Sequence, residues 1–311
     1  MFHRLAFTHS FAIGFLLLSS SGVYAQTVME LDDPPAPKQL QLYHTLAEEG
    51  NAAAQAYLGH LYQFGIGVPQ SIETAVTLYR QAANSGQAEA QFAFGMLLAK
   101  GTGVERDDAA AQKWLRLAAD QNEPRAMRNL ATQYFNGRGG HTVDYDLANQ
   151  WYEKAAALGD GLAMAFLGLQ YETGLGVIAD FDTAIRWYQR GIAAGEPMAQ
   201  LNLGKMYIRG AGVPQDVARG LALMRTAAEK GDSESAFLLG GAYATGDRVE
   251  QNVVEALMWL IVAADPEVTD GRGAYHTPRD RLSQAIEPAQ RRLAEDRAEA
   301  ILKPLRRKPQ R

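Results

Sequence analysis

A fixed internal period constrains the fold of this chain more than any other feature of its sequence. The period is marked by one residue at the end of each unit: Gly50, Gly86, Asn122, Gly159, Gly195 and Gly231. The successive spacings are 36, 36, 37, 36 and 36 residues, and the longer interval falls around Gly139-Gly140-His141-Thr142. Periods of this size indicate a supersecondary unit that is stacked along an axis. We therefore expect tandem units, the third with one extra residue in its internal turn.

The residues that recur inside a unit predict two helices joined by a glycine turn. In the first unit, Ala54, Leu58 and Tyr62 lie four residues apart and mark one face of a first helix. Ala75, Leu78-Tyr79 and Ala82-Ala83 mark the inner face of a second helix. Gly65 and Gly67 stand between them, where a left-handed residue that ends a helix is normally glycine.

Two further sets of residues recur at the repeat period. Glycines in mid-helix imply that a partner helix approaches the backbone closely, because each costs about 1 kcal/mol in helix propensity; they are Gly59, Gly95, Gly168, Gly204 and Gly240. Large aromatic residues are expected to form the core between units; they are Trp114, Trp151, Trp187 and Trp259 in second helices, and Tyr62, Tyr134, Tyr171, Tyr207 and Tyr243 in first helices.

The ends of the chain depart from the repeat. Residues 1–25 have the layout of a cleaved secretory signal peptide, with Arg4 before a short apolar run and Ala25 at the cleavage site. The remaining segments are predicted as a flexible leader (26–37), a solenoid (38–266) made of a half-repeat cap (38–49) and six repeats (50–266), a loop (267–280), a C-terminal capping helix (281–302) and a basic tail (303–311).

The repeat is similar to that of the Sel1-like repeat family, a relative of the tetratricopeptide repeat. The resemblance rests on Ala-x-x-x-Leu-Gly-x-x-Tyr-x-x-Gly-x-Gly-Val, followed by Ala-x-x-Trp-Tyr-x-x-Ala-Ala-x-x-Gly, over about residues 38–302. It implies an all-α, right-handed α-solenoid of about six helix-turn-helix repeats with capping helices at both ends. It also implies a non-enzymatic scaffold that binds a protein through a concave groove lined by first helices. Exported members resemble periplasmic regulators of sensor kinases, scaffolds for exopolysaccharide export, and factors for envelope maintenance or host contact.

Composition narrows the partners. The chain carries 30 Lys+Arg against 35 Asp+Glu, a net charge of −5, which does not favour nucleic acid. With no cysteine there is no disulfide framework and no zinc-thiolate site. The signal peptide predicts a periplasmic protein with no transmembrane segment after cleavage, or a secreted one.

No catalytic, cofactor-binding or metal-binding motif is recognisable. The six histidines have no partner at a metal-binding spacing. A cysteine-rich branch of the resembling family is linked to penicillin binding or hydrolysis, but this chain lacks those cysteines and a Ser-x-x-Lys motif. A β-lactam hydrolase is therefore the least favoured function. The alternatives to a protein-binding scaffold are a factor that binds envelope glycan, such as peptidoglycan or exopolysaccharide, and a secreted effector that acts on a host.

The helix register of related repeats selects a concave partner-binding face. It consists of His60, Gln63, Phe64, Met96, Lys100, Arg125, Arg128, Asn136, Glu172, Lys205 and Arg209. Its basic residues are able to clamp an acidic segment or a carboxylate, since Arg offers paired donors; the alternative is a solvated helix face. The clamp hypothesis predicts that Arg125→Glu with Arg128→Glu abolishes partner capture without lowering thermal stability.

Overall fold

The computed structural model describes residues 34–268 and 275–306, together with residues 18–19 and 22–23. Two-residue strands β1 (Leu18–Ser19) and β2 (Gly22–Val23) pair antiparallel, with Leu18 opposite Val23. The rest of the predicted signal peptide lies outside the described residues. The helices are α1 Pro37–Glu48, α2 Ala52–Phe64, α3 Ile72–Asn84, α4 Ala88–Lys100, α5 Asp108–Asp120, α6 Pro124–Asn136, α7 Tyr145–Ala157, α8 Gly161–Thr173, α9 Phe181–Ala193, α10 Pro197–Arg209, α11 Val217–Ala228, α12 Ser233–Thr245, α13 Val253–Ala263, α14 His276–Ala285 and α15 Pro288–Arg306.

The helices divide into two compact units. The first unit ends at Asp160 and contains α1 to α7, and the second begins at Gly161 and contains α8 to α15. In each unit, even-numbered helices from α2 to α12 are the first helices of the repeats, and each packs on the second helix that follows it. The prediction of an all-α fold built from helix-turn-helix units is confirmed.

Local sequence explains where these helices begin and end. Second helices start at a residue whose side chain accepts a backbone N–H of the first turn, as Ser71, Asp107, Asp144, Asp216 and Asn252 do. First helices end at a left-handed glycine, such as Gly65 with φ 70°. The extra residue of the third repeat lies in the turn between α6 and α7, as predicted.

Among the described residues, two other than glycine also adopt the left-handed conformation. Asn122 (φ 65°) takes the place of a unit-ending glycine, and Arg248 (φ 65°) takes the place of the second turn glycine. Asn tolerates this region better than most residues, whereas Arg does so at a steric cost. The repeat therefore imposes the same backbone on residues that do not prefer it.

The mid-helix glycines are explained by close packing, as expected. A Cβ at Gly59 would lie 3.0 Å from the Tyr79 ring, and one at Gly168 would lie 2.5 Å from the Tyr188 ring. A Cβ at Gly240 would lie 2.8 Å from Leu260 Cγ. In each case the second helix of the same repeat packs a large side chain against the backbone of the first helix.

The aromatic columns are less buried than predicted. Trp151 and Trp259 are buried, but Trp114 and Trp187 are half-buried, and of the five tyrosines only Tyr207 is buried. The interior is instead filled by the residue that follows the tryptophan position in each second helix. That column is at most 3% exposed and consists of Tyr79, Leu115, Tyr152, Tyr188, Met224 and Leu260. At the tryptophan position, the ring of Trp151 lies 5.1 Å from the guanidinium of Arg116 on the preceding second helix, α5.

The C-terminal end differs from the predicted single capping helix over 281–302. Two helices, α14 and α15, occupy this region, and Ile286 between them is extended (φ −104°, ψ 158°). Pro288 opens α15, and a residue before proline disfavours the helical conformation. α14 begins inside the predicted loop, of which residues 269–274 lie outside the description. α15 continues to Arg306 through Pro304, so only residues 307–311 of the predicted tail lie outside the described part.

The N-terminal end is also more structured than the predicted leader. Residues 26–33 lie outside the description, but Pro35 is buried and α1 already begins at Pro37. Pro34 and Pro35 lie against the turn at Gly67. The last residues of the predicted leader therefore pack on the first repeat.

Candidate functional site

The eleven residues predicted for the concave face fall on the first helices, and we call this set the first-helix face. Eight of them lie in the first unit, on α2, α4 and α6, and three lie in the second unit, on α8 and α10. The two parts are described separately.

On α2, the face is held in place by aromatic and amide contacts. The His60 and Phe64 rings lie 4.8 Å apart, in a tilted arrangement. Gln63 Oε1 accepts a hydrogen bond of 3.0 Å from the hydroxyl of Tyr79 on α3. Because Tyr79 is 3% exposed, its hydroxyl fixes Gln63 from beneath the surface.

Arg125, at the start of α6, is bound by carboxylates. Its Nε donates to Glu123 Oε1 at 2.7 Å, and its Nη2 lies 3.4 Å from Glu89 Oε1 on α4. The guanidinium also lies 4.8 Å from the centre of the Phe92 ring. Burial lowers the pKa of Arg125, but its two carboxylate partners more than offset this and raise the pKa above its ordinary value. Burial raises the pKa of Glu89, although the charge of Arg125 opposes the rise.

Further along α6, a second ion pair lies beside a second tyrosine hydroxyl. Arg128 Nε donates to Asp160 Oδ2 at 3.0 Å, and Asp160 is only 8% exposed. The hydroxyls of Thr132 and Tyr152 share a hydrogen bond of 3.0 Å, and burial raises the pKa of Tyr152 to about 12. Each cation on α6 is therefore matched by a carboxylate in the same unit.

The remaining members of the first-helix face in the first unit are Met96, Lys100 and Asn136, and they differ in exposure. Met96 Sδ accepts a hydrogen bond of 3.3 Å from Asn129 Nδ2, which links α4 to α6. Lys100 is exposed at the end of α4. Asn136 is exposed at the end of α6 and donates to the Thr132 carbonyl at 2.9 Å. Lys100 and Asn136 are thus the members of this part that extend furthest into solvent.

In the second unit, the three predicted residues lie in two ion pairs. Glu172 accepts from the Tyr188 hydroxyl at 2.7 Å and from Arg209 Nη2 at 2.5 Å. Lys205 Nζ lies 2.5 Å from Glu234 Oε1 on α12. Glu172 is 12% exposed and Arg209 is 55% exposed, so the carboxylate is fixed and the guanidinium is accessible. Burial, followed by the charge of Glu172, raises the pKa of Tyr188.

The structure brings in residues that sequence reasoning missed. Three buried tyrosines share one repeat position, and each hydroxyl bonds to a side chain of a first helix: Tyr79 to Gln63, Tyr152 to Thr132 and Tyr188 to Glu172. Their recurrence one residue after the tryptophan column was a usable signal. The carboxylates that pair with the predicted cations are Glu89, Glu123, Asp160 and Glu234. Glu123 and Asp160 also had a recurring signal, because an acidic residue follows the unit-ending residue in four successive repeats.

This geometry changes the expected electrostatics of the face. Four of the five basic residues, Arg125, Arg128, Lys205 and Arg209, lie in ion pairs, so the face is charge-compensated in each unit. Charge reversal at Arg125 and Arg128 would leave Glu123 and Asp160 opposed by like charges. Because these carboxylates are largely buried, we expect the double change to lower thermal stability, and a test of binding needs more exposed positions.

Within the described ranges, 34–268 and 275–306, the chain holds no group of three or more His, Asp or Glu side chains that is able to bind a metal ion. The same residues include no helix that is long and apolar enough to span a membrane.

Comparisons with known proteins identify the repeat. The family model described as Sel1 repeat matches residues 52–87, 88–123, 124–160, 161–196, 197–232 and 233–265. No protein with a curated description matches the chain.

Solved structures agree with this family match. The crystal structure of c5321, described as a protective antigen present in uropathogenic Escherichia coli strains and displaying an SLR fold, is 31% identical with a TM-score of 0.68; the match covers 89% of this chain and 58% of that chain. A Sel1 repeat protein from Oxalobacter formigenes is 35% identical with a TM-score of 0.67, over 73% of this chain and 92% of that one. This chain thus spans little more than half the length of the antigen.

Proposed function

Because the chain belongs to the Sel1 repeat family, we propose that it is a non-enzymatic scaffold of the bacterial periplasm, which captures a protein partner through its first-helix face. Proteins of this family are generally protein-interaction scaffolds. The periplasmic location rests on the predicted signal peptide at residues 1–25. Regulation of a sensor kinase and support of an envelope machine are the two roles that fit such a scaffold.

One observation supports this proposal most directly: the polar side chains of the first-helix face are fixed before any partner arrives. Buried tyrosine hydroxyls hold Gln63 and Glu172, and Glu172 in turn holds the exposed guanidinium of Arg209. A surface that is ordered in advance loses less conformational entropy on binding. Since the ion pairs compensate the charges of the face, we expect a partner with mixed polar and charged groups rather than a strongly acidic one.

A secreted effector that contacts a host is the second candidate. It is favoured by the likeness to c5321, which is described as a protective antigen, at 31% identity. Both candidates use the same repeats and differ in the compartment where the partner is found. Fractionation of the host bacterium distinguishes them, because a scaffold of the periplasm stays with the cells and an effector is recovered from the medium.

The proposal is tested by crosslinking the tagged mature chain in its own host and identifying captured proteins by mass spectrometry. Two matched pairs of variants locate the binding face. Lys100→Glu changes an exposed lysine of a first helix, and Lys113→Glu changes an exposed lysine of second helix α5. Arg209→Gln and Arg186→Gln form the corresponding pair on α10 and α9 in the second unit, and neither places a new carboxylate beside Glu172.

We expect one envelope protein to be captured by the wild type and by both second-helix variants, and to be lost or reduced by about tenfold in at least one first-helix variant, since a charge-assisted contact contributes about 1.5–3 kcal/mol. Equal capture by all four variants would contradict the assignment of the face. Cosedimentation with purified peptidoglycan, without any protein captured, would instead support the glycan-binding alternative. Turnover of a β-lactam by the purified chain would overturn the non-enzymatic assignment.

A further inference from the structure

One turn residue of the second unit departs from the pattern of the other repeats. Arg248, in the turn between α12 and α13, stands where other turns have their second glycine, and it adopts the left-handed conformation with φ 65°. In the fifth repeat, a Cβ at the corresponding Gly212 would lie 2.3 Å from Phe181 Cβ on the preceding second helix. A left-handed residue with a Cβ is sterically unfavourable, and such backbone strain is concentrated at functional sites.

The side chain of Arg248 reaches back to the end of α10. Its Nη1 donates to the Ile208 carbonyl at 3.1 Å, and the same oxygen accepts from Gln215 Nε2 at 2.9 Å. Its Nε lies 3.8 Å from Asp247 Oδ1, which is too far for a hydrogen bond, and the side chain is 46% exposed. Because the Ile208 carbonyl already has a donor in Gln215, the bond from Arg248 does not by itself explain an arginine in this strained turn.

Arg209 is bound to the same end of α10. Its Nε donates to the Lys205 carbonyl at 3.2 Å, and its Nη2 is held by Glu172. The carbonyls of Lys205 and Ile208 are three residues apart, which in an α-helix is about 5 Å. The guanidinium groups of Arg209 and Arg248 therefore both lie at the last turn of α10, and both are accessible to solvent.

Both arginines keep N–H groups that are available to a ligand. A guanidinium has five N–H donors. Within the described part of the chain, hydrogen bonds use two of these donors in Arg209 and one in Arg248. Paired guanidinium donors match an oxyanion, and the oxyanion that a protein partner carries is the carboxylate of Asp or Glu.

We propose that Arg209 and Arg248 together bind one carboxylate of the captured protein. The partner surface of the second unit then extends from the first-helix face to the turn between α12 and α13. This inference rests on the proposed function, and it adds the chemical group that is recognised and a residue, Arg248, that lies outside the predicted face. A single carboxylate is consistent with a partner of mixed polar and charged groups.

The first test uses acetate as the probe and needs no partner. The side-chain Nε–H signals of the mature chain are followed by NMR while acetate replaces chloride at constant ionic strength. We expect the signals of Arg209 and Arg248 to shift together with a single Kd on the order of 10 mM. The signal of Arg186, an exposed arginine on α9, should shift much less, and Arg248→Gly should abolish the shift of Arg209. Shifts no larger than that of Arg186 would overturn the proposal.

Arg248→Gly also distinguishes a role in recognition from a role in the fold. The change restores the residue that other repeats have in this turn and removes the left-handed side chain. We therefore expect its urea midpoint to equal or exceed that of the wild type. A clearly lower midpoint would assign Arg248 to the stability of the turn and would overturn the proposal.

The third test uses 12-residue peptides selected by display on the immobilised mature chain. We expect the selected peptides to share an Asp or Glu, and its replacement by Asn or Gln to weaken binding to the wild type by at least about tenfold. The same replacement should change binding to the Arg248→Gly variant by less than about twofold, because the carboxylate has lost its partner. The control Arg186→Gln should behave as the wild type.

The outcomes separate this inference from the function on which it rests. Selected peptides that bind equally to the wild type, Arg209→Gln and Arg248→Gly would overturn the carboxylate site and leave the capture of a protein intact. Acetate binding at the two arginines, without any protein captured by crosslinking, would contradict the proposed function and with it the assignment of the carboxylate to a protein.

Discussion

At the scale of single residues, two adjacent glycines of α12 allow the effect of close packing on stability to be distinguished from the effect of helix propensity. A Cβ at Gly240 would lie 2.8 Å from Leu260 Cγ, whereas one at Gly241 would meet no atom within 4 Å. We expect Gly240→Ala to destabilise the chain by about 1–3 kcal/mol through overpacking. Gly241→Ala should stabilise it by up to about 1 kcal/mol, since alanine favours the helix. Urea denaturation followed by circular dichroism measures both, and equal effects would contradict the close approach of α13.

The Glu89 carboxylate should give a pH-dependent contribution to stability. Burial raises its pKa in the folded chain, so the folded state holds a proton at pH values where the unfolded state has released it. This favourable contribution is present below the ordinary pKa of Glu and is lost as the pH rises through the raised pKa. Glu89→Gln resembles the protonated form at every pH. As the pH rises from about 4, near the ordinary pKa of Glu, to about 8, the free energy of unfolding of the variant should therefore increase relative to that of the wild type.

Urea midpoints of Glu89→Gln and the wild type at several pH values test this sign. The variant retains the pair between Arg125 and Glu123, so Arg125 is not left without a carboxylate. A variant that loses stability relative to the wild type as the pH rises would show that the attraction of Arg125 outweighs the burial of Glu89.

At the scale of helices, α15 acts as a cap because its inner stripe covers α13. Leu302 is 1% exposed and belongs to the same core cluster as Trp259, whereas Leu293 on the same helix is 46% exposed. Leu302→Ala should therefore lower the free energy of unfolding by about 2–5 kcal/mol. Leu293→Ala is the matched control and should change it by less than about 0.5 kcal/mol. Similar losses in thermal denaturation would show that α15 does not pack on the repeat as described.

The end of α15 is fixed by charge as well as by apolar packing. Arg306 Nη2 donates to Asp265 Oδ2 at 2.6 Å, and Asp265 is 7% exposed. Asp265 Oδ1 accepts the backbone N–H groups of Glu267 and Val268, so one carboxylate binds both the turn after α13 and the last residue of α15. This contact explains why the helix continues into the segment that was predicted to be a tail.

At the scale of the whole molecule, stability should be distributed repeat by repeat. In repeat proteins the free energy of unfolding is approximately a sum over units and their neighbour interfaces. Trp151 is 6% exposed, so Trp151→Ala should cost about 3–5 kcal/mol, in the range for a buried aromatic residue. Hydrogen exchange should then show lost protection in residues 124–160 and unchanged protection in α12 and α13. A uniform loss along the chain would indicate a single cooperative unit, and a loss below about 1 kcal/mol would contradict the burial of Trp151.

Much of the fold follows from the sequence because the same helix-forming and turn-forming residues recur in six repeats of about 36 residues. The glycines of the turns, the residues that cap second helices and the mid-helix glycines each predicted a feature that the structure contains. These features depend on contacts within one helix pair, which short spacings encode. The family follows from the same residues, since the Sel1 repeat pattern is itself a description of that pair.

Only the tertiary structure shows which side chains form ion pairs between helices. Residues 281–302 do not show by themselves that Asp265 binds Arg306, and α6 does not show that Glu89 and Asp160 compensate its arginines. These pairs join positions that are separated by 32 to 41 residues, so they depend on how successive units stack and not on any local pattern. Packing within each helix pair likewise decided that the residue after the tryptophan position fills the interior. The sequence thus determined the helix pair of each repeat, and the packing of neighbouring repeats determined which charged side chains are paired.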